Sequence, residues 1–170
     1  MTLAAVSAVT FAEGKIAVVN PQGAMLGTAY AAAKIEKFQK SSDFVTTKAK
    51  LDGIIAEINA LQTSFKKDGQ TWSQEKKEES ERKVQSLNQD YQFNLKKIQE
   101  AQQAVAQQVM QEIGGKAEAA IKQIVESEKI GLLLSKEAAI FATADYDITA
   151  KVVDAINKMP DQAPAAPAKK

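Results

Sequence analysis

The sequence predicts an α+β protein in which a long antiparallel helical hairpin is carried by a small base of strands and short helices. Three observations predict it. Residues 29–113 repeat apolar side chains at heptad spacing in two runs, and the pattern lapses between them at Lys66-Lys67-Asp68-Gly69. Three short apolar runs, at residues 15–20, 130–135 and 139–142, read as strands and lie outside that stretch. The base segments, residues 13–28 and 116–159, bracket the hairpin, residues 29–115, in the chain.

Composition limits the chemistry. The 170 residues carry 22 Lys+Arg against 21 Asp+Glu, a net charge of +1, so bulk charge signals neither nucleic acid nor an anionic membrane. There is no cysteine and no histidine, which removes disulfides, the usual transition-metal sites and catalysis by either residue. The densest carboxylates, Glu78, Glu79 and Glu81, crowd a polar helix that lacks a nucleophile and a base. Gly114-Gly115-Lys116 is followed by Ala117 and lacks the spaced first glycine of a phosphate loop. No enzyme activity, metal or cofactor is expected.

Residues 1–12 carry no charged side chain and read as the apolar part of a secretory signal, with Thr10 and Ala12 as small cleavage-site residues. A basic n-region does not precede them. No stretch reaches the ~20 apolar residues of a transmembrane helix. The run Lys15-Ile16-Ala17-Val18-Val19-Asn20 is expected to be a buried strand, and Pro21 opens a short helix through Leu26 because its missing N–H costs nothing in the first turn. Gly27 and Thr28 then permit a bend into the first arm.

In that arm Phe44, Leu51, Ile54, Ile58, Leu61 and Phe65 form the seam, and Ser41-Ser42-Asp43 is a local cap, a kink or simply a solvated face. Asp68-Gly69 marks the reversal, glycine being expected there for positive φ. In the second arm Val84, Leu87 and Tyr91 keep the spacing, and Leu95, Ile98, Val105 and Val109 resume it one position late, a stutter that straightens a supercoil. Arms of about 35 and 40 residues at ~1.5 Å per residue reach ~50–60 Å.

Gly114 and Gly115 fall where the arm meets the base and are a hinge, a close-packing site or a static kink. A further helix, residues 117–127, is expected to pack Ile121, Ile124 and Val125. Residues 130–135 and 139–142 read as a hairpin of buried strands, and Asp147 as the cap of a last helix facing inward with Ile148, Val152, Ala155, Ile156 and Met159. The tail, residues 160–170, has too little apolar content to fold. Some sixty base residues bury a marginal core and leave strand edges, which favours an oligomer with a shared core.

The order of these pieces resembles the Skp/OmpH family of periplasmic chaperones for outer-membrane proteins. The resemblance rests on Lys15-Ile16-Ala17-Val18-Val19-Asn20, the arm from Phe44 through Asp68-Gly69, Ile130-Gly131-Leu132-Leu133-Leu134, Ala142, and Asp147-Ile148-Thr149 with Val152 and Val153. It implies a jellyfish-like homotrimer. Strands of three subunits would form the body, here through Ile16, Val18, Leu132, Leu134 and Ile140, and three helical tentacles would hold unfolded outer-membrane proteins without ATP in the periplasm. Family members are often strongly basic. Here Lys66, Lys67, Lys76, Lys77, Arg82 and Lys83 are nearly balanced by Asp68, Glu75, Glu78, Glu79 and Glu81, so contact with membrane or lipopolysaccharide is left open.

Client contacts should be apolar residues the seam does not need: Phe38, Val45, Ile55, Trp72, Phe93 and Met110. The same residues also suit packing beside the seam or onto the base. An alternative role is a structural coiled-coil adaptor or spacer of the cell envelope, with the off-seam residues forming a patch for one fixed partner.

Overall fold

The computed structural model describes residues 14–160; the expected signal and nearly all of the expected tail lie outside them. The chain divides into two units, one of residues 14–30 and 110–160, the other Ala31–Val109.

The first unit holds the sheet. Strand β1, Lys15–Val19, pairs in parallel with β2, Ile130–Ser135, matching Ile16 to Leu132 and Val18 to Leu134, with an irregularity between Lys15 and Ile16. Gly14 and Gly131 permit the approach at that irregularity, since a Cβ on Gly131 would lie 2.8 Å from the Gly14 Cα. The other edge of β1 is used as well: Val18 bridges Asp147, and Ile148 N–H donates to the Val18 carbonyl at 2.9 Å.

The sheet therefore has two strands among the described residues, not the three expected, and β2 is not half of a hairpin. A short 3-10 turn, Lys136–Ala138, follows β2, and residues 139–142 are irregular. After the 3-10 turn this run does not fold back along the outer edge of β2, which stays open among the described residues, and both edges of β1 are already engaged. Ile140, expected in the body, is fully exposed outside any strand.

Helix α1, Pro21–Leu26, is capped by the Asn20 side chain, which accepts from Gly23 N–H at 2.7 Å, and packs against α5, Thr149–Lys158. Two polar bonds join these ends of the chain. Asn20 N–H donates to Thr149 Oγ1 at 2.9 Å, and Ala29 N–H to Asn157 Oδ1 at 3.0 Å. As expected, α5 buries Ile148 at its start, Val152 and Ile156. Asp147 stands one residue further out than a cap proper: Ile148 occupies the cap position, while Asp147 Oδ1 accepts the Thr149 N–H at 2.9 Å.

Helix α4, Gln74–Ser127, is continuous through Gly114 and Gly115, so no separate helix starts at residue 117. Nothing lies within 4 Å of a Cβ built on either glycine, which excludes the close-packing explanation among the described residues. The buried stripe here is Ile113, Ala117, Ala120 and Ile124, whereas Ile121 and Val125 are half-buried beside it. Small alanines at two of four positions let a helix sit close to its neighbours. Lys129, with φ 55, ends α4 in the left-handed conformation that usually belongs to glycine and leads into β2.

The second unit is helical. Its first arm is two helices, α2, Ala29–Gln39, and α3, Ser42–Asp68. Of the readings open for Ser41-Ser42-Asp43, the cap is the one realised: Ser41 Oγ accepts from Phe44 N–H at 3.3 Å and donates to the Phe38 carbonyl at 2.6 Å. The rings of Phe38 and Phe44 close the break edge to face, 5.0 Å apart. Thr47 and Leu51 on α3 and Leu87 and Val109 on α4 are the buried seam positions, with Ile54, Ile58, Leu61, Val84, Tyr91, Leu95 and Ile98 half-buried between them. Across the seam Lys83 Nζ lies 3.0 Å from Glu57 Oε1.

The reversal falls later than Lys66–Gly69. Helix α3 runs to Asp68, a 3-10 turn covers Gly69–Thr71, and α4 starts at Gln74. Gly69 has φ −61, so positive φ is not why glycine stands there. A Cβ at Gly69 would come within 2.9 Å of the Phe65 ring, and space for that ring is the reason.

Candidate functional site

No group of His, Cys, Asp or Glu among the described residues is arranged to hold a metal ion. Among the described residues the one strongly perturbed acid has a structural cause. The Lys136 ammonium, 2.7 Å from Asp147 Oδ2, and then Thr149 hold the Asp147 carboxyl down to about 2. With its two oxygens divided between Lys136 and the α5 backbone, this carboxylate pins the segment after β2 to the last helix. These two contacts account for its depressed pKa in structural terms. What the two units offer a partner is apolar surface, and each has its own.

On the β unit, pleat and register put Ile16, Val18, Leu132 and Leu134 on one face. Val18 is buried, but Ile16 is 51% exposed, and Leu132 and Leu134 are also open. Residues 139–146 run past this face and leave a cleft of ≈ 270 Å³ lined by Ile16, Val18, Leu134, Phe141 and Tyr146 among others. Phe141 and Tyr146 are exposed aromatic residues that sequence reasoning missed; Phe141 was inside a run assigned to a buried strand. Of the five expected body residues, four share this face and Ile140 does not.

On the helical unit the six expected contact residues separate. Val45, Ile55 and Phe93 are exposed, Phe93 the most at 69%. Phe38 is half-buried against Phe44. Trp72 is also half-buried, its ring 5.7 Å from Phe65 and 4.6 Å from Lys76 Nζ, so the turn already uses it. Met110 is half-buried and belongs to the β unit. Phe65, placed in the seam, is half-exposed instead, because the seam ends where the chain turns.

Near the turn the two helices border an open groove of ≈ 880 Å³. Leu61, Phe65 and Val84 supply its apolar lining, and its walls include Gln62, Gln85, Asn88, Gln89 and Gln92. These amides carry no apolar or charge signal and were passed over. Their signal lay in position: Gln62, Gln85, Asn88 and Gln92 each directly follow a seam residue, a turn of about 100° that puts them all on one side of the hairpin. Glu57 and Lys83 each precede a seam residue and lie on the opposite side.

The chain is similar to known proteins along most of its length. The profile of a family described as "Outer membrane protein (OmpH-like)" matches residues 15–156. A "Skp-like protein" of Pseudomonas aeruginosa is 28% identical over 149 residues, spanning 88% of each chain. A crystal structure from Caulobacter crescentus CB15 described as OmpH-like aligns over 94% of this chain and 95% of that one, with 17% identity and a TM-score of 0.47. The family profile, which spans both strands, the helical hairpin and nearly all of the last helix, bears out the resemblance in the sequence: the chain belongs to the OmpH-like family.

Proposed function

We propose that this protein is an ATP-independent holdase of the periplasm that keeps unfolded outer-membrane β-barrel proteins from aggregating. The observation that carries the proposal is exposed apolar surface on both units with no titratable or metal-binding constellation beside it among the described residues. Membership of the OmpH-like family supports the same reading. The protein acts as a binding surface and not as an enzyme.

In this proposal the open face carrying Ile16, Leu132 and Leu134 is where three copies associate. Contiguous exposed apolar surface of this kind marks an association site, and the outer edge of β2 adds unpaired backbone groups. Helical arms from three copies then surround a client, with Val45, Ile55 and Phe93 among the contacts. Gly114 and Gly115, where an added Cβ would meet no atom within 4 Å, supply bending in α4. The near-neutral charge supports apolar over electrostatic capture.

The test is light scattering with several unrelated barrel proteins diluted from denaturant. A holdase keeps all of them soluble near one assembly per client. Protection of none, with tight binding to one folded envelope protein, would instead make the chain an adaptor. Native mass measurement decides the assembly: a trimer is expected, and a monomer would remove the enclosed cavity.

A further inference from the structure

The groove near the turn has a chemistry its seam does not require. Gln62, Gln85, Asn88, Gln89 and Gln92 offer five side-chain amides, each with donors and an acceptor, along an apolar floor of Leu61, Phe65 and Val84. None of the five makes a hydrogen bond to another described residue. Charge is confined to Lys66, Lys77 and Glu81, toward the turn.

A third helix is a poor occupant. Its backbone hydrogen bonds are satisfied internally, so it gains nothing from amides, and a helix-covered face would be apolar at these flanking positions. An extended chain has the opposite needs: its N–H and C=O groups lack partners, and alternate side chains point to one side. The lengths agree as well. From Lys77 to Gln92 the groove runs about 22 Å along α4, room for about six or seven extended residues, the span of a typical strand.

We propose that this groove docks a short, extended, uncharged peptide segment in which apolar and polar residues alternate. The amides take its backbone groups, and every second side chain meets Leu61, Phe65 and Val84. The proposal rests on the holdase reading only in naming unfolded barrel strands, which alternate in this way, as the natural source of such segments.

The experiment uses the full chain and a fluorescently labelled peptide of about eight residues alternating leucine and serine. A second peptide is N-methylated at alternate residues, losing backbone donors while keeping its side chains. Anisotropy titration should show the parent peptide binding, and the N-methylated peptide binding about tenfold more weakly or worse. The variant Gln85→Ala/Asn88→Ala/Gln92→Ala should lose a similar factor with unchanged helical circular dichroism, because alanine is the best helix former. Equal binding of the two peptides, or undiminished binding by the variant, overturns the proposal, as does displacement of the label by a stapled helical peptide. Barrel-protein light scattering run in parallel separates the two readings. Solubilised barrels without peptide binding sink the groove alone, and peptide binding with precipitating barrels sinks the holdase alone.

Discussion

The rings of Phe65 and Trp72 meet edge to face across the helical turn, centroids 5.7 Å apart, and they do so in the space left by the missing side chain of Gly69. A Cβ at Gly69 would stand 2.9 Å from Phe65 Cδ2 and 3.1 Å from Cε2. Gly69→Ala must therefore displace the ring. The lost aromatic contact costs about 0.5–1.5 kcal/mol, while alanine in this helical backbone recovers about 0.4–1 kcal/mol from the unfolded state. The two nearly cancel, so the midpoint of unfolding should change little. Trp72 is the sole tryptophan, and its emission should shift to the red; an unmoved spectrum would mean that the ring pair survives.

Gly114 and Gly115 should behave in the opposite sense to Gly131. Both sit within α4 with open space where a Cβ would go, so Gly114→Ala and Gly115→Ala should each stabilise the protein by about 0.5–1 kcal/mol in thermal unfolding. Gly131→Ala meets the Gly14 backbone instead, which cannot rotate away as a side chain can. It should destabilise by about 1–3 kcal/mol, as overpacking does. Destabilisation by both α4 substitutions would show that these glycines face a neighbour supplied by another copy.

Acid should loosen the β unit through Asp147. Its folded carboxyl is depressed from 3.8 to about 2 by Lys136 and Thr149. A depressed folded value gives stability that is fully present above the unfolded value and is lost as pH falls through the folded one. The loss should therefore fall between about pH 4 and pH 2, amounting to about 1–2 kcal/mol after allowance for solvent screening. Asp147→Asn should remove that part of the pH dependence and lower stability at neutral pH by a similar amount. An unchanged acid profile would mean the Lys136 contact contributes nothing. Lys136, raised by the same partner, keeps its contribution below its ordinary value and loses it only in strong alkali.

Phe93 is a cleaner probe of client contact than Trp72. Trp72 holds the turn, so its removal mixes folding with binding. Phe93 is 69% exposed, and Phe93→Ala should change stability by no more than about 0.5 kcal/mol. With the assembly intact by native mass, the variant should let unfolded barrel proteins scatter more light than the parent does. Equal suppression by both would take Phe93 out of the binding surface.

The helical hairpin was legible because its information is local. Heptad recurrence from Phe44 to Phe65 and from Val84 to Val109 needs only the helix period, and the stutter after Tyr91 appears as the half-buried pair Asn94 and Leu95. Thr47 escaped notice because a hydroxyl residue in a seam position carries no apolar signal, yet it is buried there. Helix α5 was legible for the same local reason, an apolar face at helical spacing, and the start of α1 because Pro21 suits a first helical turn.

The sheet was not legible in this way. The runs at residues 15–20, 130–135 and 139–142 all promised strands, but a strand is completed by a partner far along the chain. Here β1 took β2 on one edge and Asp147-Ile148 on the other. Residues 139–142 pair with neither strand, and Ile140 and Phe141 lie in solvent. The sequence by itself determined which segments are helical and which are apolar, because period and composition act within a few turns. Only the tertiary structure decided the parallel pairing and the amide-walled groove beside Val84, because each depends on atoms brought together from opposite arms or opposite ends of the chain; the role of Gly69 is local, set by the Phe65 ring one turn before it, and shows only once that ring is placed.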